Sequence, residues 1–208
     1  MSAVFGLARR GVLVAFAALL AFGTTTSAYA NPDAESFTQR LIDQGVQILR
    51  ASNDPQRKTK FRDFITQYAD VRKTARFTLG NYARTSAPAD VDAFVDAFKD
   101  YAIAIYEAQL EKYKGESLKV VGSLDNKPGD YIVKTIVDGP SKDPLRIDFR
   151  LSGVNSAFKF YDISVEGAWL AISQQEQFKT FLEQNRGSVP ALTADLKTRT
   201  VKIQNGGK

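Results

Sequence analysis

From Pro32 to Gly115 the large apolar residues recur at spacings of three and four, and from Ser117 to Val165 they alternate with polar ones. The first period is that of an α-helix and the second that of a half-buried strand. Phe37, Leu41, Gly45, Ile48 and Leu49 share one helical face. A second stripe, Phe61, Phe64, Ile65 and Tyr68, follows "NDP", where Asp54 suits a cap and Pro55 a first turn. "VRKTARFTLG" predicts a short helix closed by Gly80 as a left-handed C-cap. Val91, Phe94, Val95, Phe98, Ala102, Ile105 and Tyr106 predict the longest helix, from about Ser86 to Gly115, roughly 40 Å at 1.5 Å per residue.

Four strands are predicted over Ser117–Leu124, Asp130–Asp138, Pro144–Ser152 and Ala157–Val165. "NKPGD", "GPSKDP" and "GVNS" punctuate them as turns. "LRIDFRLS" puts Leu145, Ile147, Phe149 and Leu151 on one face and Arg146, Asp148 and Arg150 on the other. Short connections predict an antiparallel meander whose apolar face packs on helices. Glu166-Gly167 ends the last strand, and helices over Gln174–Asn185 and near Ala191–Lys197 close the chain. The fold class is α+β, a twisted antiparallel sheet of about four strands packed against several helices. The helical part covers about 31–115, the sheet about 116–167 and the C-terminal helices about 168–200, in one domain of residues 31–208.

The first thirty residues read differently. Arg9 and Arg10 precede an apolar run, Gly11 to Gly23, and "TTTSAYA" ends in small-x-small, Ala28-Tyr29-Ala30. This predicts a secretory signal peptide cleaved after Ala30, the run being shorter than the roughly 20 residues a membrane span needs. No cysteine follows the run, so no lipid anchor is expected. The remaining chain has 26 basic against 23 acidic residues, an excess of +3. These charges are interleaved, which argues against a nucleic-acid partner.

The chain contains no histidine and no cysteine. The usual nucleophile–base pairs, disulfides and zinc sites are thereby excluded. No phosphate-binding glycine loop or dinucleotide fingerprint occurs, so neither a cofactor nor a metal is expected. Asp148 and Asp162 are the carboxylates on strands that a general base would need, although Asp148 between two arginines suits a cross-strand charge partner. With 14 Phe and 8 Tyr, an apolar cavity between sheet and helices is one outcome and a filled core the other.

"RFTLGNYART", then "ADVDAFVDAFKDYAIAIYEAQLEKYKGESLKV", "RIDFRL", "KFYDISVEGAWL" and "QF" occur in order between Phe61 and Phe178. Together they resemble the MlaC family of periplasmic phospholipid-binding proteins. The resemblance implies an NTF2-like core with an N-terminal helical elaboration and a soluble lipid carrier that is not an enzyme. Its ligand would be a phospholipid, its acyl chains in a cleft between sheet and helices. Its partners would be an inner-membrane ABC lipid transporter complex with a substrate-binding ring protein, and an outer-membrane lipoprotein complex. The result would be maintenance of outer-membrane lipid asymmetry.

Face assignment together with the resemblance picks Val133, Ile147 and Phe149 on the sheet and Phe94, Phe98 and Tyr106 on the long helix as tail-lining residues. Leu79 and Tyr82, in "TLGNY", are placed near the mouth. Two departures stand out: Ala168-Trp169-Leu170 where the family favours Ser-Leu, and Gln174-Gln175 where it favours Tyr-Arg. Trp169 either shapes one end of the cleft or plugs the core. Three alternatives remain: a hopanoid or other apolar cargo in the same fold, an enzyme using Asp148 or Asp162 as base, and an interaction protein with a filled core.

Overall fold

A computed structural model describes residues 30–51, 54–110, 116–138, 144–154 and 157–206. The signal peptide expected over residues 1–30 lies, save for Ala30, outside them. Five helices come first: α1 (Pro32–Arg50), α2 (Arg57–Tyr68), α3 (Val71–Thr78), α4 (Tyr82–Thr85) and α5 (Pro88–Leu110). Strands β1 (Ser117–Lys127), β2 (Asp130–Asp138), β3 (Arg146–Val154), β4 (Ala157–Val165) and β5 (Ala168–Trp169) follow, then α6 (Leu170–Gln184) and α7 (Val189–Gln204). The fold is α+β, and its sheet is an antiparallel meander in the order β1-β2-β3-β4-β5.

The sheet has five strands where the alternation predicts four. Glu166 and Gly167, at φ 50 and 84, make a tight turn that folds Ala168 and Trp169 back beside Val165 and Ser164. Left-handed φ at both central residues suits the right-handed twist of a hairpin. Two residues are too few for an alternating pattern to show. Pro128 and Gly129, the latter at φ 78, turn β1 into β2, as "NKPGD" predicts.

Three helix starts differ from expectation. Asp54 does not cap α2; its Oδ1 accepts the Gln56 N–H at 2.8 Å and its Oδ2 takes Lys60, forming a turn from which the helix starts at Arg57. Helix α7 begins at Val189, where Ser188 Oγ accepts the Ala191 N–H and Pro190 fits the first turn, so it is longer than the segment near Ala191–Lys197. Helix α6 begins at Leu170 instead of Gln174, with no side-chain cap from its own N-cap residue, Trp169. Gly80, at φ 58, does follow α3 in the left-handed conformation predicted for it.

Two hydrophobic cores lie along α5. Its first half packs with α3, α6 and α7 around Phe94, Phe98, Phe178, Leu182, Leu192 and Leu196. The Phe178 ring stands edge-on to both Phe94 and Phe98, at 5.7 and 6.3 Å between centroids, a favoured aromatic geometry. Further along, Ile103 joins the second core, where α1 and α2 cover the sheet through Leu41, Phe61, Ile65, Val133, Leu151, Phe158 and Phe160. The α2–α3 junction is tied to the edge of β4: Asp70 N–H donates to Phe160 O at 2.7 Å and Thr74 Oγ1 to Tyr161 O at 2.6 Å.

Candidate functional site

Where α5 passes from the helical core onto the sheet, the packing opens into two cavities. The first, about 250 Å³, lies beyond the edge of β4, between the α2–α3 junction, α5 and the start of α6. Its apolar lining includes Val71, Phe98, Tyr101, Ile105, Leu170 and Ala171. The second, about 300 Å³, lies between α1, α2 and the sheet and is lined by residues such as Leu41, Val46, Leu49, Phe64, Leu118 and Phe149. Four residues, Ile65, Tyr106, Phe160 and Ile163, belong to both linings. The cavities are therefore neighbouring lobes that meet at one wall.

Tyr106 is the polar member of that wall. Desolvation, and after it the charge of Asp162, pushes its phenol up to about 12, so the ring stays neutral. Asp162 also lines the first cavity. Its carboxyl is pushed up by burial, against the downward pull of the Ala171 and Ile163 N–H groups and of Arg150. Its Oδ1 accepts from both N–H groups, at 3.0 and 2.9 Å, and so anchors the start of α6. Among the described residues no group of His, Cys, Asp and Glu could hold a metal ion.

Of the nine residues picked from the sequence, three stand in the linings: Phe98 in the first, Phe149 in the second and Tyr106 in both. The others lie elsewhere. Leu79, expected near the mouth, and Phe94, expected along the tails, are buried in the helical core, and Tyr82 packs against that core. Val133 is buried in the second core, and Ile147 is half-buried. Trp169 lies in neither lining; its ring sits 6.0 Å from the Arg150 guanidinium, beside the strand pair Ser164–Trp169.

Phe160, Ile163, Gln174 and the α1 and α2 residues also line the lobes, and nothing in the sequence singles them out as lining groups. The stripes Leu41–Gly45–Leu49 and Phe61–Phe64–Ile65 were visible as apolar faces. Periodicity marks such a face as buried but does not say whether its neighbours fill the space opposite.

Asp148, the other candidate base, is absent from both linings and bound by the Arg146 guanidinium, Nη2 to Oδ2 at 2.6 Å. Arg150 pairs not with Asp148 but with Asp130 on β2, at 3.0 and 2.7 Å. Tyr161 O–H and Asn126 Nδ2 also donate to Asp130, at 2.6 and 2.7 Å.

Fold and site together define an α+β protein with a two-lobed apolar cavity between its sheet and its helices. The family model described as MlaC protein matches residues 39–198, and the chain belongs to that family. Its structure is similar to that of the phospholipid-binding protein from Ralstonia solanacearum, solved in complex with a phospholipid. The TM-score is 0.68 and the identity 22%, over 83% of this chain and 99% of that one. At that identity the likeness carries the fold.

Proposed function

We propose that this protein is a periplasmic phospholipid carrier that shelters acyl chains in its two lobes. The observation that carries the reading is the pair of apolar cavities meeting at Ile65, Tyr106, Phe160 and Ile163. Two lobes that meet at one wall suit a lipid whose two chains leave one glycerol. Each methylene moved from water into them gains about 0.8 kcal/mol. Family membership and the phospholipid held by the similar Ralstonia protein support the choice of cargo.

In this reading the leader is removed after Ala30, and the mature chain crosses the aqueous gap between the membranes with its cargo covered. Among the described residues no helix is long and apolar enough to span a membrane. It exchanges lipid with an inner-membrane ABC transporter complex and its substrate-binding ring protein, and with an outer-membrane lipoprotein complex. Outer-membrane lipid asymmetry is thereby maintained. In this reading Asp162 serves as an anchor for α6, its Oδ1 accepting two backbone N–H groups.

The test is to extract the purified protein with organic solvent and identify what it held by lipid mass spectrometry. Glycerophospholipid near one per protein is expected, as is its exchange with lipid from vesicles. Absence of both would remove the reading.

A further inference from the structure

The charge of the chain is unevenly placed. Between Asp70 and Asp90 stand Arg72, Lys73, Arg76 and Arg84, and no acidic residue. Residues 31–208 have an excess of +3, so outside this stretch the chain carries one net negative charge. The stretch forms α3 and α4. Helix α3 buries Ala75 and Thr78, lays Val71 and Thr74 along the first lobe, and turns Arg72, Arg76 and Phe77 to solvent.

The bases differ in what they meet. Arg72 pairs with Asp92 at 2.6 Å, and Lys73 Nζ lies 3.5 Å from the centre of the Tyr161 ring. Among the described residues, Arg76 and Arg84 bind neutral oxygens and no carboxylate. Arg76 Nη2 donates to Ala83 O at 3.2 Å, and Arg84 Nη2 to Asn81 Oδ1 at 3.0 Å. A guanidinium has five N–H donors, so each of these exposed arginines keeps donors for an anion from outside.

Apolar groups gather at the same place. Six large hydrophobic side chains are exposed among the described residues, and three of them, Phe77, Leu170 and Ile172, lie on α3 and the start of α6. The two helices are joined by Gln175, whose Nε2 donates to Phe77 O at 2.6 Å. Leu170 also lines the first lobe, as do the exposed Ser173 and Gln177, so the lobe opens to solvent along α6, beside α3.

We propose that α3, α4 and the start of α6 form a docking surface for an anionic lipid bilayer. Arg76 and Arg84 meet lipid phosphates, while Phe77, Leu170 and Ile172 enter the headgroup layer. The proposal rests on the carrier reading and adds where cargo enters, since docking sets the opening of the first lobe against the lipid. Guanidinium groups suit phosphate, and bases mixed with aromatic and aliphatic side chains suit the boundary between headgroups and chains. An acidic protein surface would answer the arginines and leave the three apolar side chains facing charge.

The experiment floats purified protein with vesicles of phosphatidylcholine alone or of an equal mixture with phosphatidylglycerol. Binding to the mixed vesicles is expected to exceed binding to phosphatidylcholine and to weaken as salt rises. Arg76→Gln combined with Arg84→Gln should weaken it about 25-fold, roughly fivefold for each charge at the surface. Phe77→Ser should weaken it roughly tenfold through lost insertion. Lys197→Gln combined with Lys202→Gln removes as much charge from the exposed side of α7 and should change binding less than about twofold.

Equal binding to both kinds of vesicle, or a loss in the lysine variant as large as in the arginine variant, would overturn the docking surface. Lipid mass spectrometry of the same protein separates this result from the carrier reading. Protein that holds phospholipid yet binds neither vesicle overturns the docking surface alone, and protein that neither holds nor takes up lipid overturns both. Retention on immobilised poly-glutamate that depends on Arg76 and Arg84, without vesicle binding, would give the face to an acidic protein and overturn the bilayer.

Discussion

Asp162 on β4 caps α6 from outside the helix, its Oδ1 accepting the Ala171 N–H at 3.0 Å. The first turn of a helix leaves backbone N–H groups unpaired, and a carboxylate there also meets the positive end of the helix dipole. The cap fixes the beginning of α6, the segment that brings Leu170, Ala171 and Gln174 to the first lobe. Asp162→Ala should cost about 1 kcal/mol or somewhat more in urea unfolding, the usual worth of a cap. Asp162→Asn keeps an acceptor oxygen and removes a charge that burial disfavours, so it should lie close to the unmodified protein. If the asparagine variant were as damaged as the alanine one, the charge and not the acceptor would be the stabilising part.

Asp130 sets a pH limit of the opposite kind. Burial pushes its carboxyl up, but hydrogen bonds from Arg150, Tyr161 and Asn126 outweigh burial and hold it at about 2. A carboxyl whose folded pKa lies below its unfolded value near 3.9 stabilises fully above that unfolded value. The contribution, about 2 kcal/mol for a shift of this size, is lost as pH falls from about 4 through about 2. Stability measured against pH should fall across that window, and Asp130→Asn should flatten the fall. An unchanged acid limb in the variant would show that the loss comes from other carboxyls.

Trp169 lies on β5, not in the lobes, with its ring 6.0 Å from the Arg150 guanidinium. Trp169→Ser should therefore lower stability by about 1–2 kcal/mol through lost aromatic area and cation–π attraction, and leave the bound lipid unchanged in chain length and amount. A shift in the lipid profile at unchanged stability would place the indole's effect on the cargo after all.

Strands were legible because alternation is local: β2 and β4 have the predicted limits, and "NKPGD" carries its own turn residues in Pro128 and Gly129. The start of α6 was not, because its cap is Asp162, on another element. Phe94 and Phe98 show why the site was only partly legible. They stand one turn apart in the same stripe, yet Phe94 is enclosed by Phe178 and its neighbours while Phe98 also borders the first lobe. Tyr106, two turns beyond Phe98, lies where α5 has left the helical core and borders both lobes. A single stripe passes from filled core to cavity wall with no change of residue type. Only the position of α1, α2 and α6 decides where the filling stops.

Phe94 and Phe149 make that boundary measurable. Phe94 is fully buried against two other phenylalanines, so Phe94→Ala should cost about 3–5 kcal/mol. Phe149 is half-buried and borders the second lobe. Its ring already lacks contacts on the cavity side, so Phe149→Ala should cost clearly less in delipidated protein. The order should hold in urea unfolding; equal costs would mean that the second lobe closes around Phe149 when empty.

Filling the lobes one at a time tests whether each takes a chain. Val46 borders only the second lobe and Ala102 only the first. Val46→Phe and Ala102→Phe each place a ring where hydrocarbon would lie. In delipidated protein, filling space that has no packing partner should leave stability unchanged or raise it by about 0.5–2 kcal/mol. Lipid uptake should respond oppositely. If one chain occupies each lobe, either variant should lose diacyl phospholipid from mass-spectrometric extracts and still load a single-chain lysophospholipid, and the double variant should load neither. Should Val46→Phe keep the full diacyl load while Ala102→Phe loses it, both chains would share the first lobe, and the second would be a packing defect of the α1–α2 cover.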